Sequence, residues 1–501
     1  MSSQYPALIV VVPLLAGLLV FIAGWVNKKW CFPIAVAALG ITAYSSIGLL
    51  FRVINEGVIV YKMGGWDPPM GIAYYVDHLN GLVLVVVSVV AFLNAIASKK
   101  SIEDEFPDNI GAFYALYVLM VTGLLGIVVT GDAFNLYVLL DIAALTGYGL
   151  IAMGGGRGSL SALNYLYMGT IGACFYLLGV GYLYIMTGSL NMVDIARILP
   201  DLYQSKAVMA AFIICMVGVW IKMAFFPLHA WLPNAYTYAP SASSSLVAPL
   251  VTKVMIYVMI RFILTVFTPE FSFNILAVSQ PIVWLAVIAI VMGALLALKE
   301  RNLKKMLTYI IVAEVGYMVG GAWLGNRVGM TGAILHIVND ALMTLCVFMA
   351  VGNIVYKVKG ADFENLQGLF RKMPFTMGAF VVGAMSMIGV PPTCGFFSKW
   401  YLISGAIQAG HYGFMVALVF SSLVNVVLFF RIFEICYYEP FSDHHGHGDE
   451  HGHHPEPAMD EAPITMLVPL FVIAVILVLV GLYTGDIVNQ IIDVAIPKGL
   501  V

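Results

Sequence analysis

The chain has 501 residues, of which 61% are hydrophobic and only 10% are charged, and its mean hydropathy is +0.95. Because a soluble domain carries about 25% charged residues, this composition excludes a soluble enzyme and indicates an integral membrane protein. The net charge of −3 gives no basis for a nucleic-acid partner, so the expected surroundings are the lipid bilayer and other membrane proteins.

Fourteen apolar segments are each about long enough to cross a bilayer, which takes about 20 helical residues. They cover residues 6–26, 31–53, 77–97, 110–130, 133–153, 161–186, 207–231, 241–266, 279–298, 305–324, 329–355, 374–407, 412–437 and 464–484. The first segment lacks a basic start and a small-residue cleavage site, so it is predicted to be a span and not a cleaved signal. The alternating pattern of a membrane barrel is missing, and the predicted fold class is an all-α polytopic membrane protein.

Lysine and arginine in the loops predict the orientation of these helices. Loops that follow odd-numbered helices carry thirteen of these residues, and loops that follow even-numbered helices carry five. We therefore expect the odd-numbered loops to face the cytoplasm and both termini to lie on the outer side. The expected location is the inner (plasma) membrane of a prokaryote.

Two of the predicted helices carry internal breaks that are marked by prolines. The seventh includes Pro227 and Pro233, and the twelfth includes Pro391 and Pro392. Broken helices at corresponding places are typical of inverted repeats with an ion site at the break. The predicted organisation is three N-terminal helices in 1–109, a first repeat of helices 4–8 in 110–266, a second repeat of helices 9–13 in 279–437, a histidine-rich cytoplasmic loop in 438–463 and helix 14 in 464–501.

The histidine-rich tract from Asp443 to His454 holds six of the ten histidines in the chain. Such a tract either chelates transition metals weakly or forms a solvated loop, and the loop is favoured because no fixed ligand geometry is implied. Its weak metal-ligand candidates are His444, His445, His447, His451, His453 and His454. No nucleotide-binding glycine motif and no CxxC pair occurs, so no cofactor is expected.

Lys222 lies in the apolar run Cys215 to Phe226, whose other side chains cannot solvate an ammonium group. A lysine at the centre of a membrane helix costs about 2.5–3.5 kcal/mol, so it requires a partner, water or a function. Lys253 and Lys399 have similar surroundings, and Asp141 lies well inside the fifth helix. Ionisable groups of both signs within the bilayer indicate that the protein moves a charged species.

Each of these side chains also has a structural alternative. Asp141 is either a hydrogen-bond acceptor between helices or the carboxylate that pairs with Lys222. Lys253 lies about three turns from its helix start, so its ammonium group could reach the interface by snorkelling. His229 is either a proton relay or a donor to carbonyl groups freed by the neighbouring prolines.

Three further candidates lie in the tenth and eleventh helices. His336 and Asp340 are four residues apart on one helix face, so they form either a local pair or part of a relay. Glu314 is an intramembrane carboxyl group for which the sequence alone indicates no role.

Four stretches of the chain carry a family resemblance. They are GDAFNLYVLLDI, IKMAFFPLHAWLPNAYTYAPSASSSLVAPLVTK, LKKMLTYIIVAEVGYMVGG and PPTCGFFSKW. Together they resemble the antiporter-like membrane subunits of respiratory complex I and of Mrp-type cation/proton antiporters, from about residue 75 to about residue 435. The lysine at position 399 and the short C-terminal tail favour the D-like type of Mrp antiporters.

The resemblance implies fourteen helices with two inverted five-helix repeats and discontinuous helices 7 and 12. It also implies a row of proton-translocating groups formed by Asp141, Lys222, Lys253, His336 and Lys399. The implied activity is translocation of protons, or exchange of protons for sodium, within a complex that contains other membrane subunits.

Four residues depart from the family pattern. Asp141 is one methylene shorter than the usual glutamate, which predicts a looser or water-mediated pair with Lys222. Asp340 and Thr344 replace part of a common histidine-to-lysine motif, which leaves His336 to carry the central link alone. Glu314 is acidic where the family commonly has a neutral polar residue.

Two other classes of function remain open from the sequence. One is a structural scaffold subunit of a quinone oxidoreductase or hydrogenase complex without its own ion pathway. The other is a stand-alone secondary transporter for an organic solute. Redox chemistry by the chain itself is not expected, although its complex could be named as an NADH-quinone oxidoreductase or a hydrogenase.

Overall fold

A computed structural model describes residues 4–438 and 459–500. Fourteen helical segments form the body of the protein, and twelve of them are continuous helices long and apolar enough to cross a membrane within these described ranges. The segments are α1 (Tyr5–Val26), α2 (Cys31–Glu56), α3 (His78–Ala97), α4 (Ile110–Val129), α5 (Ala133–Ala152), α6 (Gly156–Thr187), α7a (Lys206–Lys222) with α7b (Leu232–Tyr238), α8 (Ser241–Arg261), α9 (Ser279–Lys299), α10 (Leu303–Trp323), α11 (Arg327–Val358), α12a (Pro374–Ile388) with α12b (Cys394–Gln408), α13 (Tyr412–Tyr438) and α14 (Ile464–Leu482). The predicted all-α membrane fold is confirmed, whereas a count of fourteen crossings stays a prediction because the seventh and twelfth segments are interrupted.

The connections contain short elements. Strands β1 (Ile59–Lys62) and β2 (Ala73–Val76) form an antiparallel hairpin in which Ile59 lies opposite Val76. The short helical pieces are Lys28–Trp30, Met63–Gly65, Lys99–Glu105, Met192–Ile198, Leu199–Leu202, Phe262–Val266, Glu270–Ile275, Phe363–Leu366, Leu369–Lys372, Thr484–Ile487, Val488–Ile492 and Asp493–Ala495.

Burial separates the helices into an inner and an outer set. Nearly every side chain of α8, α10 and α11 is buried, whereas α1, α6, α9 and α14 present many exposed apolar side chains. A helix that is apolar all round and buried all round belongs to the centre of a bundle. The outer set covers this centre and provides the apolar surface that a bilayer or a partner subunit requires.

Two close helix contacts show the internal repeat. In α4, a Cβ atom added to Gly123 would lie 2.6 Å from the nitrogen of Ala143 in α5. In α9, a Cβ atom added to Gly293 would lie 2.8 Å from the nitrogen of Ala313 in α10. Each glycine precedes its alanine by the same number of residues, so α4–α5 and α9–α10 are equivalent helix pairs.

The helix starts repeat in the same way. Asp132 caps α5 and forms an isolated bridge with Asn191, and Asn302 caps α10 and forms the equivalent bridge with Asp362. In each unit an Asp or Asn side chain accepts a backbone N–H of the first helical turn, which is the usual way to satisfy these groups. Equivalent elements are five helices apart along the chain, which is an odd number of crossings, so the two units have opposite directions across the bundle.

The two broken helices also share one geometry. Ala224 after α7a has φ of 58°, and Gly389 after α12a has φ of 94°. In each break the next N–H bonds to the carbonyl five residues earlier. These bonds are Phe225 N to Trp220 O at 3.0 Å and Val390 N to Met385 O at 3.0 Å. The breaks are therefore equivalent, and position 222 in the first unit corresponds to position 387 in the second.

We expect Gly123→Ala to lower the free energy of unfolding by about 1–3 kcal/mol, because the added methyl group overpacks the α4–α5 contact. Thermal unfolding of the purified protein measures this change. Gly181→Ala in α6 is the matched control, since an added Cβ atom there meets nothing within 4 Å. The control should be neutral or stabilising by about 0.5–1 kcal/mol, and an equal loss in both variants would contradict the close contact.

An ion pair joins the end of α8 to the start of α3. Arg261 donates from Nη1 to Asp77 Oδ2 at 2.6 Å and from Nη2 to Asp77 Oδ1 at 2.9 Å, and its Nε donates to Tyr257 Oη at 3.1 Å. Burial alone would raise the pKa of Asp77, but the guanidinium charge and its hydrogen bonds hold that pKa below its ordinary value. This bidentate pair fixes one end of the central helix α8.

Candidate functional site

A buried ion pair lies at the centre of the bundle. Lys253 Nζ of α8 is 2.9 Å from Asp340 Oδ2 of α11, and the two side chains are 2% and 0% exposed. Asp340 Oδ1 accepts a hydrogen bond from Thr344 Oγ1 at 2.8 Å, and Lys253 Nζ also donates to Ala248 O at 3.2 Å. Opposite charges that satisfy each other at this depth can hold a proton and release it when their surroundings change.

His336 lies one turn before Asp340 on α11 but has a different partner. Its Nδ1 is 2.8 Å from Ser398 Oγ of α12b, and its ring centroid is 5.5 Å from that of Tyr317. Within the described part of the chain, its Nε2 is buried without a hydrogen-bond partner. His336 therefore contacts α12b, whereas Asp340 contacts α8.

Lys399 of α12b is held by the end of the preceding half-helix. Its Nζ donates to Met387 O at 2.6 Å, to Ile388 O at 3.3 Å and to Ser422 Oγ at 3.2 Å. It also lies 5.3 Å from the centroid of the Tyr317 ring. The last carbonyl groups of a helix lack intrahelical partners and carry partial negative charge, so they bind an ammonium group well.

Lys222 differs from Lys399 in both position and contacts. It is the last residue of α7a and precedes its break, whereas Lys399 follows its own break and reaches back to the end of α12a. The Lys222 Nζ is buried without a hydrogen-bond partner among the described residues. It lines a cavity of about 20 Å³ together with Ala144, Tyr165 and Val251. This space accommodates about one water molecule.

The expected pair of Asp141 and Lys222 is more distant than a salt bridge. No ion pair within 4.0 Å joins them in residues 4–438, although Lys222 still experiences the charge of Asp141. Asp141 is half-buried on the outward face of α5, between Val138 and Leu145, which are 40% and 64% exposed. The looser interaction agrees with the shorter side chain of aspartate.

Glu314 of α10 lies among these groups and is fully buried, with 0% exposure. It interacts electrostatically with Asp340, Lys399 and Lys253. In the part of the chain that the structure covers, no N–H or hydroxyl group donates to either of its carboxyl oxygens. Because a carboxylate can only accept, Glu314 and its neighbour Asp340 can share a hydrogen bond only if one of them carries a proton.

His229 lies apart from this row, in the break between α7a and α7b. Its ring stacks on Phe226 with centroids 5.0 Å apart, and its Nδ1 has no hydrogen-bond partner among residues with described positions. The six histidines of the tract near residue 450, which were the weak metal-ligand candidates, lie outside the described residues.

Sequence reasoning missed four partners of the central groups. Thr344, Ser398, Tyr317 and Ser422 each contact one of the buried charges. The contact between Asp340 and Thr344 could have been predicted from the sequence, because residues four apart share a helix face. The contact of Ser422 with Lys399 could not be predicted in this way, since it depends on how α13 packs against α12b.

A family model described as "NADH:quinone oxidoreductase/Mrp antiporter, TM" matches residues 130–425. The chain belongs to this family. The matched region contains both broken helices and every charged group of the row described above, from Asp141 to Lys399. Membership therefore rests on the segment that forms the candidate site.

Two relatives and one solved structure illustrate how similar the chain is to other members of the NADH:quinone oxidoreductase/Mrp antiporter family. It is 39% identical over 502 residues to the N-type subunit of the NADH-quinone oxidoreductase of Desulforudis audaxviator, with 99% of both chains covered. It is 28% identical over 433 residues to the D-type subunit of the Na(+)/H(+) antiporter of Bacillus subtilis, with 86% of both chains covered. A chain of the archaeal membrane-bound sulfane sulfur reductase superimposes with a TM-score of 0.89 at 27% identity, covering 98% of this chain and 97% of that chain.

Proposed function

We propose that the chain is a proton-translocating membrane subunit of a multisubunit complex. The observation that carries this proposal is a lateral row of ionisable side chains across the bundle, all of them buried except the half-buried Asp141. Its members are Asp141, Lys222, Lys253, Asp340, His336 and Lys399. Intramembrane ionisable residues are costly and are retained where they serve ion pathways.

The row supports proton movement by exchange between neighbouring groups. Lysine is a compact donor whose proton affinity depends on the charges and water around it. The Lys253–Asp340 pair binds a proton at the centre of the bundle. A change of charge on a neighbouring group lowers or raises the proton affinity of this pair. Lys222, with space for about one water molecule beside it, can exchange its proton through that water.

Assembly and ion specificity extend this proposal. The similar proteins are named as subunits of an oxidoreductase and of an antiporter, and the similar structure belongs to a respiratory membrane complex, so we propose other membrane subunits as partners. Sodium is a second candidate ion because the relative from Bacillus subtilis is named as part of a Na(+)/H(+) antiporter. The proposed location is the plasma membrane of a prokaryote, with both termini on the outer side.

Lys399→Met in the intact complex tests the proposed function. We expect proton transport into sealed vesicles to fall about tenfold or more, because the variant lacks the exchangeable proton at this end of the row. Lys206→Met at the exposed start of α7a is the matched control and should retain transport. Full transport in an assembled Lys399→Met complex would instead favour a scaffold role.

A further inference from the structure

We propose that Glu314 is a proton-carrying acid, neutral in this conformation, that connects the Lys253–Asp340 pair with Lys399. The proposal rests on the proton-translocating function above. It assigns a role to Glu314, which is not among the residues of the row named there. Glu314 lies on α10 in the inner set of helices, within reach of the charges on α8, α11 and α12b.

The contacts of Glu314 fit a carboxylic acid and not a carboxylate. It is 0% exposed, and within the described ranges it has neither a hydrogen-bond donor nor a cation within 4.0 Å. A lone buried carboxylate would be very unfavourable, whereas a neutral acid avoids most of that desolvation cost.

The surrounding cations are already held by other groups. Lys253 pairs with Asp340, and Lys399 is bound by the carbonyl groups of Met387 and Ile388. The negative charge of Asp340 further opposes a second carboxylate beside it, since two neighbouring carboxyl groups share a proton more readily than they both ionise. Asp340 therefore takes the charge, and Glu314 keeps the proton.

Comparison of the two repeats supports a role for Glu314 that is specific to the second unit. From the equivalence of Ala143 and Ala313, position 314 corresponds to Ala144 in the first unit. Ala144 lines the small cavity beside Lys222, where about one water molecule fits. The second unit thus carries a carboxyl group at the position where the first unit has space for water.

The step that we assign to Glu314 transfers only protons. Glu314 donates its carboxyl proton to the unprotonated amine of Lys399, which becomes an ammonium group. The resulting Glu314 carboxylate then takes a proton from the Lys253 ammonium group, which leaves a neutral amine beside Asp340. Among the described residues, the Tyr317 hydroxyl group, which donates to Ser421, also interacts electrostatically with Glu314. His336, whose Nδ1 bonds to Ser398, interacts electrostatically with Asp340, Lys399 and Lys253. The reverse sequence moves a proton in the opposite direction.

Glu314→Gln in the assembled complex tests this role, because glutamine matches the shape of a neutral glutamic acid but cannot exchange a proton. We expect transport to fall about tenfold or more with normal assembly. The infrared spectrum should also lose a carboxylic-acid C=O band that shifts in heavy water. Thr308→Val on the same helix is the control: among the described residues its hydroxyl group bonds only to Lys305 O, so transport should be unchanged.

Either full transport in Glu314→Gln or an unchanged carboxylic-acid band would overturn this role. Full transport there together with loss in Lys399→Met would reject the role of Glu314 and leave the proposed function standing. Full transport in both variants would reject the proposed function as well. If Glu314→Gln does not assemble, Glu314→Asp is measured instead: we expect slower transport with a displaced pH profile, and an unchanged rate and profile would contradict the proposal.

Discussion

Asp340→Asn is expected to lower the free energy of unfolding by about 3–5 kcal/mol and to stop proton transport. Asparagine keeps the shape of the side chain and an acceptor for Thr344, but it leaves the Lys253 ammonium group buried without its counter-ion. Breaking one partner of a buried ion pair typically has a destabilising effect of this size. Thermal unfolding of the complex and dye-reported proton uptake into vesicles measure the two effects.

A double variant separates the stability of this pair from its role in transport. Lys253→Met with Asp340→Leu removes both charges and fills their space with apolar groups, which is often neutral or stabilising. We expect the double variant to recover the lost stability and to remain inactive. Recovery of transport together with stability would show that the Lys253–Asp340 pair only supports packing.

Lys222→Met should change stability and transport in opposite directions. The Lys222 ammonium group has no hydrogen-bond partner in the described part of the molecule, so its replacement removes an unfavourable burial. The free energy of unfolding should rise by about 2–3 kcal/mol, close to the cost of a central lysine in a membrane helix. Proton transport should nevertheless fall about tenfold or more, because the variant has no exchangeable proton beside the small cavity.

Lys304→Met provides the comparison for this variant. Lys304 is also a buried lysine, but its Nζ donates to Ala239 O at 2.8 Å and it lies outside the row. Its replacement should not stabilise the protein, since a satisfied hydrogen bond is lost. A loss of stability in Lys222→Met as large as that in Lys304→Met would indicate that Lys222 has an unrecognised partner.

The sequence was sufficient to predict the elements that depend on local pattern. Apolar segment length predicted the helices, and prolines such as Pro227 and Pro391 predicted the two breaks. The buried lysines were recognisable because an ammonium group has no favourable surroundings in an apolar run.

The contacts between these groups could not be predicted in the same way. Lys253 and Asp340 are far apart in the chain and meet only because α8 packs against α11. Asp340 was therefore a secondary candidate, and His336 alone was expected to carry the central link. The partners of Lys399 were missed for another reason: they are the backbone carbonyl groups of Met387 and Ile388, whose availability follows from the end of α12a and not from their side chains.

The outward position of Asp141 has a consequence for how the row of charges ends. At one end Lys399 is 5% exposed and enclosed by α12a and α13, so this end is closed within the chain. At the other end Asp141 lies on a face with the exposed side chains of Val138 and Leu145, so the row reaches the outer surface of the protein. A carboxylate at this depth cannot remain against hydrocarbon without cost. The row of charges is therefore accessible from the protein surface at Asp141. Charged or polar groups of a neighbouring protein that covers this face would interact electrostatically with the row.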